Sequence, residues 1–351
     1  MPFDVRELAV PIVQAPMAGG PSTPALATAV CESGGLGFLA AGYRTAAAVA
    51  EQITAVRAAT PRPFGVNIFA PPEQRASPAT VTAYAGALRP EAERYGVALG
   101  APRWDDDDHS AKLEVVLDAR VPVVSFTFGC PSAAAVTTLR GAGIAVWVTV
   151  TDVAEAERAQ AAGADAVVAQ GAEAGGHRGF FRDDDDHENL GLLALLRLLS
   201  ARTSLPLIAT GGIADGAGVA AALCAGAAAV QLGSAFMLTP EAGTSAPHRS
   251  RLAAPASTRL TRAFSGRRAR GIVNRFMDDH DAQAPAAYPE IHHLTSPLRA
   301  AARERDDAEA VNLWAGQAHE LAQARPAAEI VAALAAGAGA ALAQAASRLP
   351  R

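Results

Sequence analysis

The chain is poor in lysine and cysteine. Lys112 is its only lysine, which argues against Schiff-base chemistry and against a phosphate loop that depends on a lysine side chain. Cys31, Cys130 and Cys224 are widely separated and form no CxxC pair, as expected for reduced thiols rather than for a disulfide or zinc framework. No GxGxxG fingerprint follows the first predicted strand, which argues against a Rossmann-type NAD site.

Neither a nucleic-acid partner nor a membrane is indicated. The formal net charge of −5 argues against binding to nucleic acid or to an anionic membrane. The first residues show no basic start followed by an apolar core, so we expect no signal peptide. The longest apolar tract, residues 330–345, is mostly alanine and glycine, so we expect a buried or amphipathic helix rather than a membrane span. These features predict a cytoplasmic protein.

Short apolar runs recur along the chain, each followed by a polar or glycine-rich turn and an alanine-rich helical stretch. They lie at residues 12–15, 36–40, 64–69, 121–126, 145–150, 166–169, 207–210 and 229–232. Strands that alternate with helices form parallel βαβ units, and eight such units predict an α/β fold of the (β/α)8 TIM-barrel type. A doubly wound open sheet is the alternative, but it would leave eight strands with no obvious nucleotide motif after the first.

The pattern changes after the eighth run. From residue 239 to residue 305 the chain has prolines, arginines, histidines and short helical pieces without strand alternation. Helical periodicity returns from residue 306. We therefore predict a barrel in residues 1–238, a small helical substrate or lid domain in residues 239–305, and C-terminal helices in residues 306–351 that pack back on the barrel.

Two acidic runs, residues 105–109 and 183–187, both read DDDDH. Carboxylates beside an imidazole can bind a cation, but neighbouring side chains rarely converge on one ion. Aspartate also complements the dipole at the start of a helix. We interpret both runs as solvated acidic loops and predict no metal site.

Glycines follow the last two predicted strands. The chemistry of such a barrel lies where its strands end. Gly211 and Gly212 follow the seventh run, and Gly233 and Ser234 follow the eighth. Their backbone N–H groups and the following helix N-termini predict a phosphate cup, although glycines at these positions would also serve tight turns alone.

Amide side chains at other strand ends suggest a flat, phosphorylated cofactor. Asn67, Gln170 and Gln231 can both donate and accept hydrogen bonds, which matches the mixed edge of an isoalloxazine ring. FMN therefore fits better than NAD. The segment after the first run would offer the ring an apolar face through Ala15, Pro16 and Met17.

Six segments carry a family resemblance, in this order along the chain: QAPMAGGPSTPALA, GVNIF, SFTFGCP, QGAEAGGHRG, TGGIADGAGVAAALCAGAAAVQLGSAF and GRRARGIVNRF. Over about residues 10–280 they resemble the nitronate monooxygenase family, formerly called 2-nitropropane dioxygenases. The resemblance implies an FMN-dependent (β/α)8 barrel with an extra helical domain. It implies flavin contacts at Asn67, Gln170, Gly175, Gly212, Gln231, Leu232, Gly233 and Ser234.

The same resemblance implies that His177 is the catalytic residue. Gly175 and Gly176 would let the loop backbone lie against the flavin. Ser234 stands where the family usually has threonine and keeps the hydroxyl group. We expect Arg178 to be structural and Glu173 to face away from the ring.

The implied activity is the oxidation of alkyl nitronates and nitroalkanes by O2 to a carbonyl compound and nitrite, with propionate 3-nitronate among the candidate substrates. A flavin-dependent enoyl-ACP reductase, which would need NAD(P)H and an acyl-carrier partner, is the main alternative. A non-catalytic flavin-binding barrel is a more remote one. We predict that arginines of the 239–305 segment suit an anionic substrate: Arg267, Arg268, Arg270 and Arg275. The oligomeric state is open, and a homodimer is the assembly considered.

Overall fold

Parallel strands surround the centre of the computed structural model, which describes residues 2–72, 75–183 and 189–348. The main sheet consists of β1 (Ile12–Gln14), β2 (Phe38–Ala40), β3 (Gly65–Phe69), β4 (Val123–Thr127), β5 (Ala145–Val150), β6 (Ala166–Gln170), β8 (Leu207–Thr210) and β9 (Ala229–Leu232). A second sheet consists of β7 (Gly176–His177), β10 (Thr258–Thr261) and β11 (Ala269–Ile272).

The main sheet closes on itself. Its order is β1-β9-β8-β6-β5-β4-β3-β2, and every pairing within it is parallel. A parallel bridge between Val13 and Leu36 joins its two ends. All eight predicted runs lie on these strands, with boundaries that differ by one or two residues at several ends. The prediction of a (β/α)8 barrel is confirmed.

Helices cover the outside of the barrel and build the rest of the molecule. They are α1 (Pro24–Glu32), α2 (Ala46–Ala59), α3 (Pro78–Ala87), α4 (Arg89–Tyr95), α5 (His109–Asp118), α6 (Ala133–Gly141), α7 (Val153–Ala162), α8 (Leu192–Ser200), α9 (Gly216–Cys224), α10 (Ala246–Leu252), α11 (Arg275–His280), α12 (Glu290–Glu304) and α13 (Ala327–Ala346).

Large side chains fill the interior of the barrel. Phe38 and Trp147 are fully buried there, with ring centroids 5.5 Å apart. The strands are buried along almost their whole length because one face points into this interior and the other packs under the helices. This arrangement explains why the strands read as continuous apolar runs instead of alternating ones.

A second buried core lies outside the barrel. It draws side chains from α3, α4, α10, α11 and α12 and from residues 308–315. Tyr84, for example, is buried there and donates a hydrogen bond to the Ala263 carbonyl at 2.8 Å. This core therefore includes helices from inside the predicted 1–238 barrel, and the division into three units stays a prediction.

The prediction that residues 239–305 contain no strands is wrong. β10 and β11 form an antiparallel hairpin, and β7 pairs with β11 as its third strand. The hairpin escaped detection because both strands carry arginines and neither shows an apolar run. Arg270 can be buried in β11 because its guanidinium group donates to the Ala172 carbonyl at 2.9–3.0 Å.

The C-terminal apolar tract forms α13. By length and composition alone this helix could cross a membrane, since its mean hydropathy is 1.5. Ile330, Val331 and Leu334 are buried, however, within the core shared with α1 and α9. The burial of these side chains indicates that α13 packs on the barrel, as the sequence predicts.

The first acidic run is not a freely solvated loop. Asp107 forms an ion pair with the buried Lys112, at 2.7 Å, and accepts a hydrogen bond from the Tyr43 backbone at 2.9 Å. His109 donates from Nδ1 to the carbonyl of Phe69, at the end of β3. The interpretation as a solvated loop is corrected here, because these side chains fix the run to the barrel rim. Of the second run, only Asp183 lies within the described residues.

Candidate active site

A cavity of about 500 Å³ opens at the carboxyl ends of the barrel strands. Every residue predicted from the sequence to form the site lines it: Ala15, Pro16, Met17, Asn67, Gln170, Gly175, Gly176, His177, Gly211, Gly212, Gln231, Leu232, Gly233 and Ser234. Their convergence follows from the closed parallel sheet, which brings all strand ends to one rim. Their individual roles remain predictions.

The cavity also has walls that strand-end reasoning missed. They come from the loop after β2, from the β10–β11 hairpin, from α12 and from the segment after it, and include Tyr43, Ser265, His292, Arg299, Arg303 and Trp314. Most of these residues lie far in sequence from a barrel strand. The arginine and histidine content of residues 239–305 was the only signal for them.

The amide of Gln170 is occupied within the protein. Its Nε2 donates to the His177 carbonyl at 3.0 Å, and its Oε1 accepts from Arg178 at 2.9 Å and from the Gly179 backbone at 2.8 Å. Gln170 therefore holds the histidine loop to the end of β6 in addition to lining the cavity. Arg178 is fully buried beneath this loop, as expected for a structural residue.

Two other groups keep unused hydrogen-bonding capacity toward the cavity. Among the described residues, the Gln231 side chain has no hydrogen-bond partner, and the Asn67 amide donates to Ser125 and Thr127 but leaves Oδ1 unpaired. An unpaired amide on an otherwise buried wall fits the polar edge of a flavin ring.

The glycine turns after β8 and β9 suit an anion. In the part of the chain that is described, the backbone N–H groups of Gly212 and Ser234 have no acceptor. Only a single 3-10 turn, Ser234–Phe236, follows β9, and α9 begins four residues after Gly212. The predicted helix N-termini thus contribute less than expected, and the backbone N–H groups of the turns contribute more.

Gly175 and Gly176 serve different purposes. A Cβ atom on Gly175 would lie 2.4 Å from the Gly316 nitrogen and 2.5 Å from the Ala315 carbonyl carbon. Gly175 is therefore required by the backbone that crosses behind the loop, and its implied contact with the flavin stays a prediction. Gly176 has φ of +74° and open space beside it, so its left-handed backbone, and not a neighbouring atom, is what favours glycine there.

His177 projects from β7 into the cavity. Its Nε2 lies 2.8 Å from the hydroxyl of Ser265. Its ring packs against Phe128 and Trp314, at centroid distances of 5.6 Å and 5.5 Å. These contacts fix the plane of the imidazole.

The surroundings of His177 disfavour its charged form. Removal from bulk water, followed by the positive charges of Arg267 and Arg299, lowers the pKa of His177 to about 3. At neutral pH the imidazole is therefore neutral and carries one proton. Glu173 does not line the cavity. Its carboxylate instead accepts the Leu192 N–H at the start of α8, at 3.0 Å.

The arginines named from the sequence are not those that line the cavity. Arg268 bonds to Asp183, Arg270 to the Ala172 carbonyl, and Arg275 to Glu91 and Asp279. Arg267 lies over the Phe128 ring and donates to backbone carbonyls. All four are thereby held in structural contacts. The cavity arginines are Arg299 and Arg303 on α12.

Among the described residues, one group has His and carboxylate ligand atoms close enough to hold a metal ion, namely Glu91, Asp279 and His280. It lies outside the cavity. Arg275 donates to Glu91 at 2.6–2.8 Å and to Asp279 at 2.9 Å, so a guanidinium group already neutralises both carboxylates. We interpret the group as an ion-pair network.

Comparison with known proteins gives the same picture. The sequence model of the nitronate monooxygenase family matches residues 5–337. A nitronate monooxygenase of Paraburkholderia phytofirmans is 44% identical over 333 residues, covering 92% of this chain and 91% of the relative. The crystal structure of a nitroalkane oxidase from Streptomyces ansochromogenes is 50% identical, with a TM-score of 0.94, covering 97% of this chain and 99% of that one.

A more distant structure shares the architecture. FabK of Thermotoga maritima is 26% identical, with a TM-score of 0.73, covering 98% of this chain and 97% of that one. Fold, cavity and likenesses together define a flavin-dependent oxidoreductase built on a (β/α)8 barrel. Within that class, the chain belongs to the nitronate monooxygenase family.

Proposed function

We propose that the protein is an FMN-dependent nitronate monooxygenase that uses O2 to convert alkyl nitronates and nitroalkanes into a carbonyl compound and nitrite. The observation that carries the proposal is the charge of the cavity. Arg299 and Arg303 line it, and no carboxylate does within residues 2–72, 75–183 and 189–348. A nitronate is an anion and an electron donor, so it suits this wall and requires no nicotinamide.

FMN is the flavin that the cavity supports best. The turns at residues 211–212 and 233–234 form one cup for one phosphate group, and FMN carries one. Gln231 and Asn67 would meet the polar edge of the ring, and Met17 would lie against its apolar face. When bound, the flavin supplies electron transfer between the nitronate and O2.

His177 would act on the reacting end of the substrate. Because its ring is neutral, one nitrogen can accept a proton from the carbon beside a nitro group when a nitroalkane is the substrate. With a nitronate, no proton need be removed, and His177 would only orient the substrate by hydrogen bonding. The aromatic rings around it would keep water from the reacting atoms.

A second anionic group on the substrate fits the far wall. Arg299 and Arg303 lie one turn apart on α12, and each has a nitrogen 3.4 Å from the Asn312 side-chain oxygen. Neither forms an ion pair with a carboxylate of the described chain. Burial, and then repulsion by Arg303, lowers the pKa of Arg299 to about 10. A bound carboxylate would relieve this repulsion, which favours a carboxylate-bearing nitronate such as propionate 3-nitronate.

The test compares propionate 3-nitronate with propyl-1-nitronate, measuring nitrite release and O2 consumption. In Arg303→Gln, kcat/KM for the carboxylate-bearing substrate should fall about 10- to 100-fold, the effect of a lost charged hydrogen bond of about 1.5–3 kcal/mol. The simple nitronate should be affected little. Arg325→Gln, at an exposed position, is the control. No nitrite from either substrate would refute the activity, and equal losses for both would refute the carboxylate site.

The state of the cysteines bears on the cellular compartment of the protein. Cys31, Cys130 and Cys224 are free thiols, which supports a reducing compartment such as the cytoplasm. We further propose that the partners are the small-molecule substrate and O2, without nucleic acid or membrane. A homodimer stays a prediction for measurement by light scattering.

A further inference from the structure

The β10–β11 hairpin reaches over the barrel rim to the histidine. β7 is the third strand of its sheet, with His177 opposite Ala269 and Gly176 opposite Arg270. Residues 262–268 connect β10 to β11 and carry Ser265 at their centre. The pairing of β7 with β11 therefore sets where Ser265 lies relative to the imidazole.

Ser265 lies between two groups that can share its one hydroxyl proton. The Arg267 carbonyl, 3.2 Å from Oγ, can only accept. When the hydroxyl proton is directed to that carbonyl, Oγ offers only lone pairs to Nε2 of His177, which lies 2.8 Å away. Nε2 then carries the imidazole proton. Ser265 is 2% exposed, so bulk water does not compete for this bond.

A neutral imidazole has one protonated and one unprotonated nitrogen. With the proton on Nε2, the lone pair lies on Nδ1, which has no hydrogen-bond partner within the described ranges. Burial disfavours a second proton on the ring, and so does the balance of the charges that act on it, which are Arg267 from the hairpin, Arg299 from α12 and Asp183. The choice between the two tautomers is thus made by the hydrogen bond to Ser265.

We propose that Ser265 is a positioning residue that fixes His177 in the Nε2–H tautomer and leaves Nδ1 as the proton acceptor of the cavity. The inference rests on the proposed role of His177 in the reaction. It adds that the hairpin, and not the barrel, sets the protonation pattern of the histidine. Ser265 itself touches no reacting atom.

The direct test is nitrogen NMR of ¹⁵N-histidine-labelled, flavin-loaded protein at neutral pH, with His177→Gln to assign the signals. We expect a protonated Nε2 and an unprotonated Nδ1 for His177. In Ser265→Ala the two tautomers should mix, and Ser265→Thr, which keeps the hydroxyl, should restore the wild-type pattern. A wild-type His177 with its proton on Nδ1, or an unchanged tautomer in Ser265→Ala, would overturn the inference.

Kinetics add a second readout. Ser265→Ala should lower kcat for a neutral nitroalkane about 10-fold with little change in KM, because the histidine would lose the contact that fixes both its tautomer and the orientation of its ring. The loss with a preformed nitronate should be smaller. The tautomer measurement needs no turnover, so it distinguishes a failure of this inference from a failure of the proposed function. Equal kcat losses for both substrates would count against the positioning role.

Discussion

At the scale of single residues, His177 lies in an environment far from that of solution. An unperturbed imidazole titrates near pH 6.5, whereas the pKa of His177 is lowered to about 3 by burial and by Arg267 and Arg299. The sequence pointed to the residue but gave no sign of this shift, because the two arginines are distant in the chain. A neutral histidine can accept a proton, and a bound anion would stabilise the charged form that results.

His177→Ala should therefore discriminate between substrate forms. With a neutral nitroalkane, kcat/KM should fall about 10²- to 10⁴-fold, the usual contribution of a positioned acid–base group. With a preformed nitronate, only a hydrogen bond to a charged group is lost, about 1.5–3 kcal/mol or about 10- to 100-fold. Steady-state kinetics with both forms in the same variant provide the check. Equal losses would show that His177 only orients the substrate.

The two glycines before His177 should tolerate alanine unequally. In Gly175→Ala the new methyl group would meet the backbone of Ala315 and Gly316, so we expect a loss of about 1–3 kcal/mol in the free energy of unfolding and weaker flavin binding. Flavin binding is affected because the Gly316 N–H donates to Ser234 at 3.0 Å. In Gly176→Ala the space is open, and only the left-handed backbone costs stability, about 1–2 kcal/mol.

Urea unfolding and flavin titration of both variants measure these effects. The comparison that matters is flavin affinity, which should fall in Gly175→Ala through displacement of residues 315–316. If Gly175→Ala bound flavin normally while Gly176→Ala did not, the assignment of the two glycines would be reversed.

At the scale of elements, the acidic run before α5 anchors a wall of the cavity. Asp107 links the N-terminal end of α5, through Lys112, to the loop that carries Tyr43. Tyr43 has a left-handed backbone, with φ of +65°, and its ring stacks on His292 at a centroid distance of 4.0 Å. The ion pair thus stabilises a strained residue in the cavity wall.

Breaking this ion pair should be costly. Lys112→Met leaves the carboxylate of Asp107 buried without its partner, for which we expect a loss of about 3–5 kcal/mol in the free energy of unfolding. The double variant Lys112→Met/Asp107→Asn removes both charges and should recover part of that loss. Urea denaturation of the single and double variants measures the difference. A Lys112→Met protein as stable as the wild type would show that the pair is not structural.

At the scale of the whole molecule, three histidines of one cavity share a lowered pKa. Burial lowers the pKa of His248 to about 4 and that of His292 well below its usual value, as it does for His177. Their unfolded forms titrate near pH 6.5, so below that pH the unfolded chain binds more protons than the folded one. The stability associated with these groups is complete above about pH 6.5 and is lost as the pH falls.

The thermal midpoint should therefore decrease between pH 7 and pH 5.5. Each histidine that stays neutral when folded contributes about 1.4 kcal/mol per pH unit below 6.5. Asp107 and Glu155 act in the opposite sense, because burial raises the pKa of both carboxyl groups, and they reduce this decrease. Calorimetry of the apo and FMN-loaded protein at pH 7.5, 6.5 and 5.5 measures the trend. A constant midpoint over that range would contradict the buried neutral histidines.

The sequence predicts the barrel and its rim better than it predicts the second sheet and the second buried core outside the barrel. Buried parallel strands leave continuous apolar runs, and the carboxyl ends of such strands meet in one place by geometry alone. β7 is two residues long, and β10 and β11 each carry an arginine, of which Arg270 is buried against the Ala172 carbonyl elsewhere in the chain. Ser265, Arg299 and Trp314 enter the cavity only through that tertiary packing. No local pattern marks Ser265 or Trp314, and only the arginine and histidine content of residues 239–305 points to Arg299.

The proposed function requires that a bound flavin take electrons from a nitronate and not from a nicotinamide. The most direct measurement is to mix the FMN-loaded protein anaerobically with either propionate 3-nitronate or NADPH and to record the visible absorbance of the flavin. We predict that the nitronate bleaches the flavin and that NADPH leaves it oxidised. Bleaching by NADPH, with no response to the nitronate, would contradict the account and favour a reductase.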